Sequence, residues 1–160
     1  MVALALGGGL ALLASSRSHH SAATSGSASS GTTSTGHAQT FTPAYKKELD
    51  ALLADSAAAR TKATSGDYTD AAAQRRTELA RCKKLPAVSS PGGSTSLTQL
   101  LCKALSDSLK ADLLLAQGSA EASKANSRAT AAKTTFVAAY VKACKAAGLT
   151  PSKYANPKAL

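Results

Sequence analysis

Apolar residues recur at helical spacing from residue 42 onward. Tyr45, Leu49, Leu52, Ser56, Ala59 and Ala63 return to one face of a helix, with Leu53 beside them. Thr42 stands at the N-cap position and Pro43 at the first helical position, where a missing N–H leaves no bond unmade. Gly66 supplies a stop, and Asp67 caps a second helix that runs to about Lys84, with Pro86 ending it. Residues 85–95 read LPAVSSPGGST, a Pro/Gly/Ser loop. Ser96 and Gln99 then form an S-x-x-Q capping box at the start of a third helix. Leu97, Leu101, Ala104 and Leu105 line one of its faces, and Leu109, Leu113, Leu114 and Leu115 extend the apolar surface.

Gly118 divides two readings. A 4-3 alternation passes through Leu97, Leu101, Ala104, Ser108, Ala111, Leu115, Gly118, Ala122, Ala125, Ala129, Ala132, Phe136, Ala139, Ala143 and Ala146. Unbroken, it makes one helix of roughly fifty residues and about 75 Å, and so a three-helix fold. Alanine-rich sequence fits such a template easily, and the first two helices are too short to cover it. The preferred reading breaks the chain at Gly118, caps a fourth helix with Ser119 and ends it at Ala147 before Gly148. The expected fold is therefore all-α: a small alanine-rich up-down bundle over residues 41–148, followed by a polar tail, 149–160. The Gly66-Asp67-Tyr68-x-x-Ala71 turn resembles the turn inside tetratricopeptide repeats. The likeness covers this turn alone. Arg75 and Lys62 occupy positions where such repeats carry aromatic residues, and no copy recurs at a 34-residue period. The hairpin is read as a generic antiparallel pair.

Composition adds a stability argument. Hydrophobic residues make up 44% of the chain, there is no Trp, and Phe41 and Phe136 are its only phenylalanines. Alanine favours helix but buries little area, so the bundle would gain from a covalent staple. Cys82 and Cys102 flank the 85–95 loop and are the expected disulfide. Cys144 belongs at the same end of an up-down bundle, where it competes for either partner. The leftover thiol is then either buried or joined to another chain. A three-thiolate metal site lacks a fourth ligand, so no metal or other cofactor is expected.

The N-terminal segment bears on compartment. Residues 2–14 read VALALGGGLALLA, of a length that suits a signal peptide and falls short of a membrane span. No Lys or Arg precedes them, which departs from the usual pattern, and an anchor is the alternative for residues 1–16. Leu12-Leu13-Ala14-Ser15 resembles a lipoprotein box but has Ser where lipidation requires a thiol. Residues 17–40 form a Ser/Thr/Gly-rich stretch with no apolar residue larger than alanine, expected to be a disordered linker. The chain's three histidines, His19, His20 and His37, all fall in it. These features place the protein outside the cytoplasm, secreted or on the outer face of the envelope.

Charge and missing chemistry then narrow the function. Formal net charge is +10, which favours anionic partners. The candidate anion-binding residues are Arg75, Arg76, Arg81, Lys83 and Lys84 on the second helix and Lys142 and Lys145 on the fourth. The alternative for these is a solvated face. Nucleic acid is disfavoured because the tyrosines are not interleaved with the basic residues and no recognition module is evident. Asp50 with Asp55, Asp67 with Asp70, and Asp107 with Asp112 are near in sequence. None combines with a nucleophile or a phosphate loop into a catalytic signature. The reading is a non-enzymatic domain that binds a protein or an anionic envelope polymer or lipid through a basic face. The alternatives are a carrier of a small apolar ligand lined by Tyr68, Phe136 and Tyr140, or a spacer without a ligand.

Overall fold

The structure, a computed structural model, describes residues 40–160. The expected export segment, the linker up to residue 39 and the three histidines lie outside the described residues. Four helices follow in order: α1 (Pro43–Thr64), α2 (Tyr68–Cys82), α3 (Leu97–Ala116) and α4 (Ala122–Ala146). Among the described residues no strand occurs.

Local chemistry explains the helix ends. Thr42 Oγ1 accepts from Tyr45 N at 3.2 Å, and Asp67 Oδ1 accepts from Asp70 N at 3.2 Å. Both caps stand where the sequence puts them. The second helix stops at Cys82, short of the expected Lys84, because Lys84 N turns back to Arg81 O and Leu85 N to Cys82 O in a tight final turn. The capping box of α3 is closed from both sides: Gln99 N donates to Ser96 Oγ at 3.1 Å, and Ser96 N to Gln99 Oε1 at 3.0 Å. Replacing Ser96 with Ala should cost about 1 kcal/mol. Urea denaturation would show this as a lower midpoint with an unchanged slope.

The break at Gly118 is real and the bundle has four helices. Gly118 adopts φ 62°, a left-handed conformation that costs glycine nothing. It lets Ser119 N reach Leu114 O at 2.9 Å and Gly118 N reach Leu115 O at 3.0 Å. This paired arrangement satisfies carbonyls that an ended helix leaves open. Ser119 departs from its expected role. Its Oγ accepts from Glu121 N within the entry turn, and regular helix begins only at Ala122, with no side-chain cap.

Consecutive helices pack on one another, α1 on α2, α2 on α3 and α3 on α4. Tyr140 on α4 donates its hydroxyl to Asp50 on α1. The C-terminal stretch adds a further layer. Residues 149–160, expected as a polar tail, contribute Leu160, 2% exposed, to the core and pack Leu149, Tyr154 and Ala155 against it. Ser152 N donates to the Tyr140 hydroxyl at 3.1 Å, tying the tail to α4.

The interior has two unlike halves. One end holds the large apolar side chains, among them Leu49, Leu53, Leu97, Leu101, Phe136 and Tyr140, all essentially buried. Cys82 and Cys102 form a disulfide there, with their Cα atoms 5.7 Å apart. Cys144 is free and buried in the same cluster. Toward the other end the buried positions are small: Ala59, Ala71, Ala72, Ala111, Ala122, Ala125 and Ala129. Alanines leave space between helix backbones, and long charged side chains enter it.

Candidate functional site

The sequence-predicted basic residues separate into two kinds. Arg76, Arg81, Lys83, Lys84, Lys142 and Lys145 are exposed. Arg75 is 1% exposed and takes no part in a surface patch. The reason is its register. Ala71, Arg75, Glu78 and Cys82 share the inward stripe of α2, all buried, and Arg76 is the first residue off it. Arg81 is ion-paired with Asp55 on α1. The other five exposed cations have no carboxylate within 4.0 Å. Residues 1–39 contain no carboxylate at all. The α2 group and the α4 pair stand on helices that each pack against α3.

The carboxylates near each other in sequence have separate tasks. Asp50 pairs with Lys46 and accepts from Tyr140, Asp55 pairs with Arg81, Asp67 caps α2 and Asp107 pairs with Lys103. Only Asp112 is buried. The aromatics considered for an apolar cavity are also apart. Phe136 and Tyr140 stack in the core with centroids 5.9 Å apart, while Tyr68 lines a polar cavity elsewhere.

That cavity stands against a buried ionic layer. Arg75, Glu78, Asp112 and Lys133 are 1%, 1%, 6% and 4% exposed. Arg75 Nη1 donates to Ser56 Oγ, and to Glu78 Oε2 at 3.4 Å. Its Nη2 reaches the carbonyl oxygen of Leu160 at 3.5 Å, and Lys133 Nζ donates to the same carbonyl. Arg75 Nε lies 3.5 Å from Asp112 Oδ2, but neither atom completes a hydrogen bond. The two cationic and two carboxylate side chains balance one another, which is the condition for burying charge tolerably. Desolvation nonetheless dominates. Burial raises the Glu78 and Asp112 carboxyls above their ordinary values, against the pull of Arg75. Burial, reinforced by the positive charges of Arg75 and Arg60, lowers Lys133 to about 7. Lys133 is therefore poised to gain or lose a proton near neutrality.

The cavity beside this layer has a volume of about 310 Å³. Arg75, Ser108, Asp112 and Lys133 line it deep in the bundle, and Arg60, Thr64, Tyr68 and Asn126 are its more exposed members. All four helices contribute, so it exists only in the assembled bundle. Sequence reasoning missed Glu78, Asp112, Lys133 and Arg60 as members of one site. The available signal was register: Lys133 falls among the buried positions Ala129, Ala132, Phe136 and Val137 of α4, as Arg75 does on α2.

Among the described residues no group of three or more His, Cys, Asp or Glu side chains is arranged to hold a metal ion. None of the described helices is long and apolar enough to cross a membrane. Comparison with protein-family models, with curated proteins and with solved structures finds no match to this chain.

Proposed function

We propose that this is a non-enzymatic helical domain acting outside the cytoplasm, where it binds an anionic surface through its exposed basic side chains. The observation that carries the reading is that Arg76, Lys83, Lys84, Lys142 and Lys145 are exposed without carboxylate partners. Asp50, Asp55, Asp67, Glu78, Asp107 and Asp112 are engaged in a cap or in ion pairs within the fold. Unpaired cations on a rigid scaffold attract anionic polymers and lipid headgroups. The Cys82–Cys102 disulfide supports an oxidising compartment, since such bonds persist there and are rare in the cytoplasm.

The test is co-sedimentation of the full chain with vesicles containing anionic phospholipid, and with an acidic polysaccharide, across a salt series. Binding should weaken steeply with salt. Each Lys or Arg near an anionic membrane contributes about 1 kcal/mol. Reversing Arg76, Lys83 and Lys84 to Glu should therefore lower affinity by at least roughly a hundredfold. Absence of binding at low salt, or binding unmoved by the triple reversal, would refute the basic-surface reading.

A further inference from the structure

We infer that the cavity between the four helices is a separate binding site for a small organic carboxylate that carries a hydrogen-bond donor beside its carboxyl group, a hydroxy acid or an amino acid. Four observations converge on it.

Size comes first. A volume of about 310 Å³ lies at the lower end of the range for ligand pockets. It admits a small metabolite and excludes a polymer or a lipid chain, so this site is distinct from the exposed cations. Its charge is the second observation. Arg60, Arg75 and Lys133 line it against a single lining carboxylate, Asp112. Glu78 and Asp112 balance Arg75 and Lys133, so Arg60 leaves one positive charge in excess for an incoming anion. Lys133 spends one of its donors on the Leu160 carbonyl and has capacity for more.

Unmade bonds are the third. Arg75 and Asp112 both line the cavity, and Arg75 Nε and Asp112 Oδ2 are buried and complete no hydrogen bond. Each such group carries a desolvation cost that a ligand can relieve. Asp112 is an acceptor in its ionised form, which selects a ligand with a donor next to its carboxylate. The last observation is polarity. Ser108, Asn126, Thr64 and Tyr68 add hydroxyl and amide groups to the wall, unlike the Leu- and Phe-filled interior at the other end. In the bound state the ligand's carboxylate sits between Arg60 and Lys133, and its hydroxyl or ammonium faces Asp112.

The experiment is amide chemical-shift titration of the full, oxidised chain with glycolate, lactate, glycine, serine, acetate and inorganic phosphate. A saturable shift of amides around Arg60, Tyr68, Asp112 and Asn126 with a donor-bearing carboxylate, and weaker binding of acetate, is the expected result. Arg60→Gln, a partly exposed change, should weaken binding about tenfold. Asp112→Asn should erase the preference over acetate while leaving acetate binding in place. Glycolate and lactate shifting the site more strongly than glycine and serine assigns the hydroxy acid; the reverse assigns the amino acid. Reversal of Arg76, Lys83 and Lys84 should leave the titration unchanged, which separates this site from the surface reading. No localised shift with any carboxylate, tighter binding of phosphate than of every carboxylate, or an Arg60→Gln variant that binds as the parent does would overturn the assignment.

Discussion

Replacing Arg75 with Met lowers the stability of the bundle by about 3–5 kcal/mol. The guanidinium touches Ser56 on α1, Glu78 on its own helix, the Asp112 side of α3 and the Leu160 carbonyl of the tail. Methionine fills similar space but leaves Glu78 and Asp112 buried without their main counter-charge. Their carboxyls, already raised by burial, must then take up protons or draw in water. Thermal unfolding should show a fall of at least about 10 °C. A second variant isolates the cause. Combining Arg75→Met with Glu78→Leu and Asp112→Leu removes the stranded carboxylates, and most of the lost stability should return. In the parent, Lys133 adds a pH dependence of its own. Its folded value of about 7 lies below the ordinary 10.5. The unfolded chain therefore binds more protons between those values, and stability rises with pH across that window. The parent should therefore gain stability from this group between pH 7 and pH 9, on the order of one to several kcal/mol, measured by urea denaturation at the two pH values. A single Arg75→Met variant that melts with the parent would show that the layer is not a structural keystone.

The second large effect is expected from the disulfide. Cys82 and Cys102 are separated by 20 positions. Closing a loop of that length stabilises by about 3 kcal/mol through the entropy of the unfolded chain. In a bundle whose far half is packed with alanine, that is a substantial share of the total. Melting in the presence of a reductant should fall by about 10 °C relative to the oxidised protein. The Cys82→Ala/Cys102→Ala double variant should melt like the reduced parent. Cys144 complicates neither measurement while the protein is folded, because it is buried and burial raises its thiol above the ordinary value. Alkylation under native conditions should leave it unmodified. Identical melting with and without reductant would mean that the loop is held by packing alone.

Helix ends were the most legible part of the fold, because their signals are local. Thr42-Pro43, Asp67 and Ser96-x-x-Gln99 each act within one turn, and Gly118 stops a helix through its own backbone. The disulfide was legible for a related reason: two cysteines flank one loop. What could not be read was long-range. Arg75 looks like a surface charge in any basic run until the stripe of Ala71, Glu78 and Cys82 fixes it inward. Lys133 required the same register argument on α4, together with the knowledge that alanines surround it. The tail reads as polar because Lys153, Asn156 and Lys158 dominate it, yet Leu149, Tyr154 and Leu160 are spaced to meet the core. No local pattern announces that a carbonyl at residue 160 will complete the surroundings of an arginine at residue 75.

That last contact orders events during synthesis. Helices α1 to α3 make neighbouring contacts and can begin to associate as each leaves the ribosome. The charged layer cannot be completed then, because Arg75 waits 85 residues for the Leu160 carbonyl and Lys133 waits 27. Until residue 160 has emerged, the bundle holds two cations with an acceptor missing at its centre. The charged layer is thus a late product of synthesis, closed only once residues far apart in the chain have both been made.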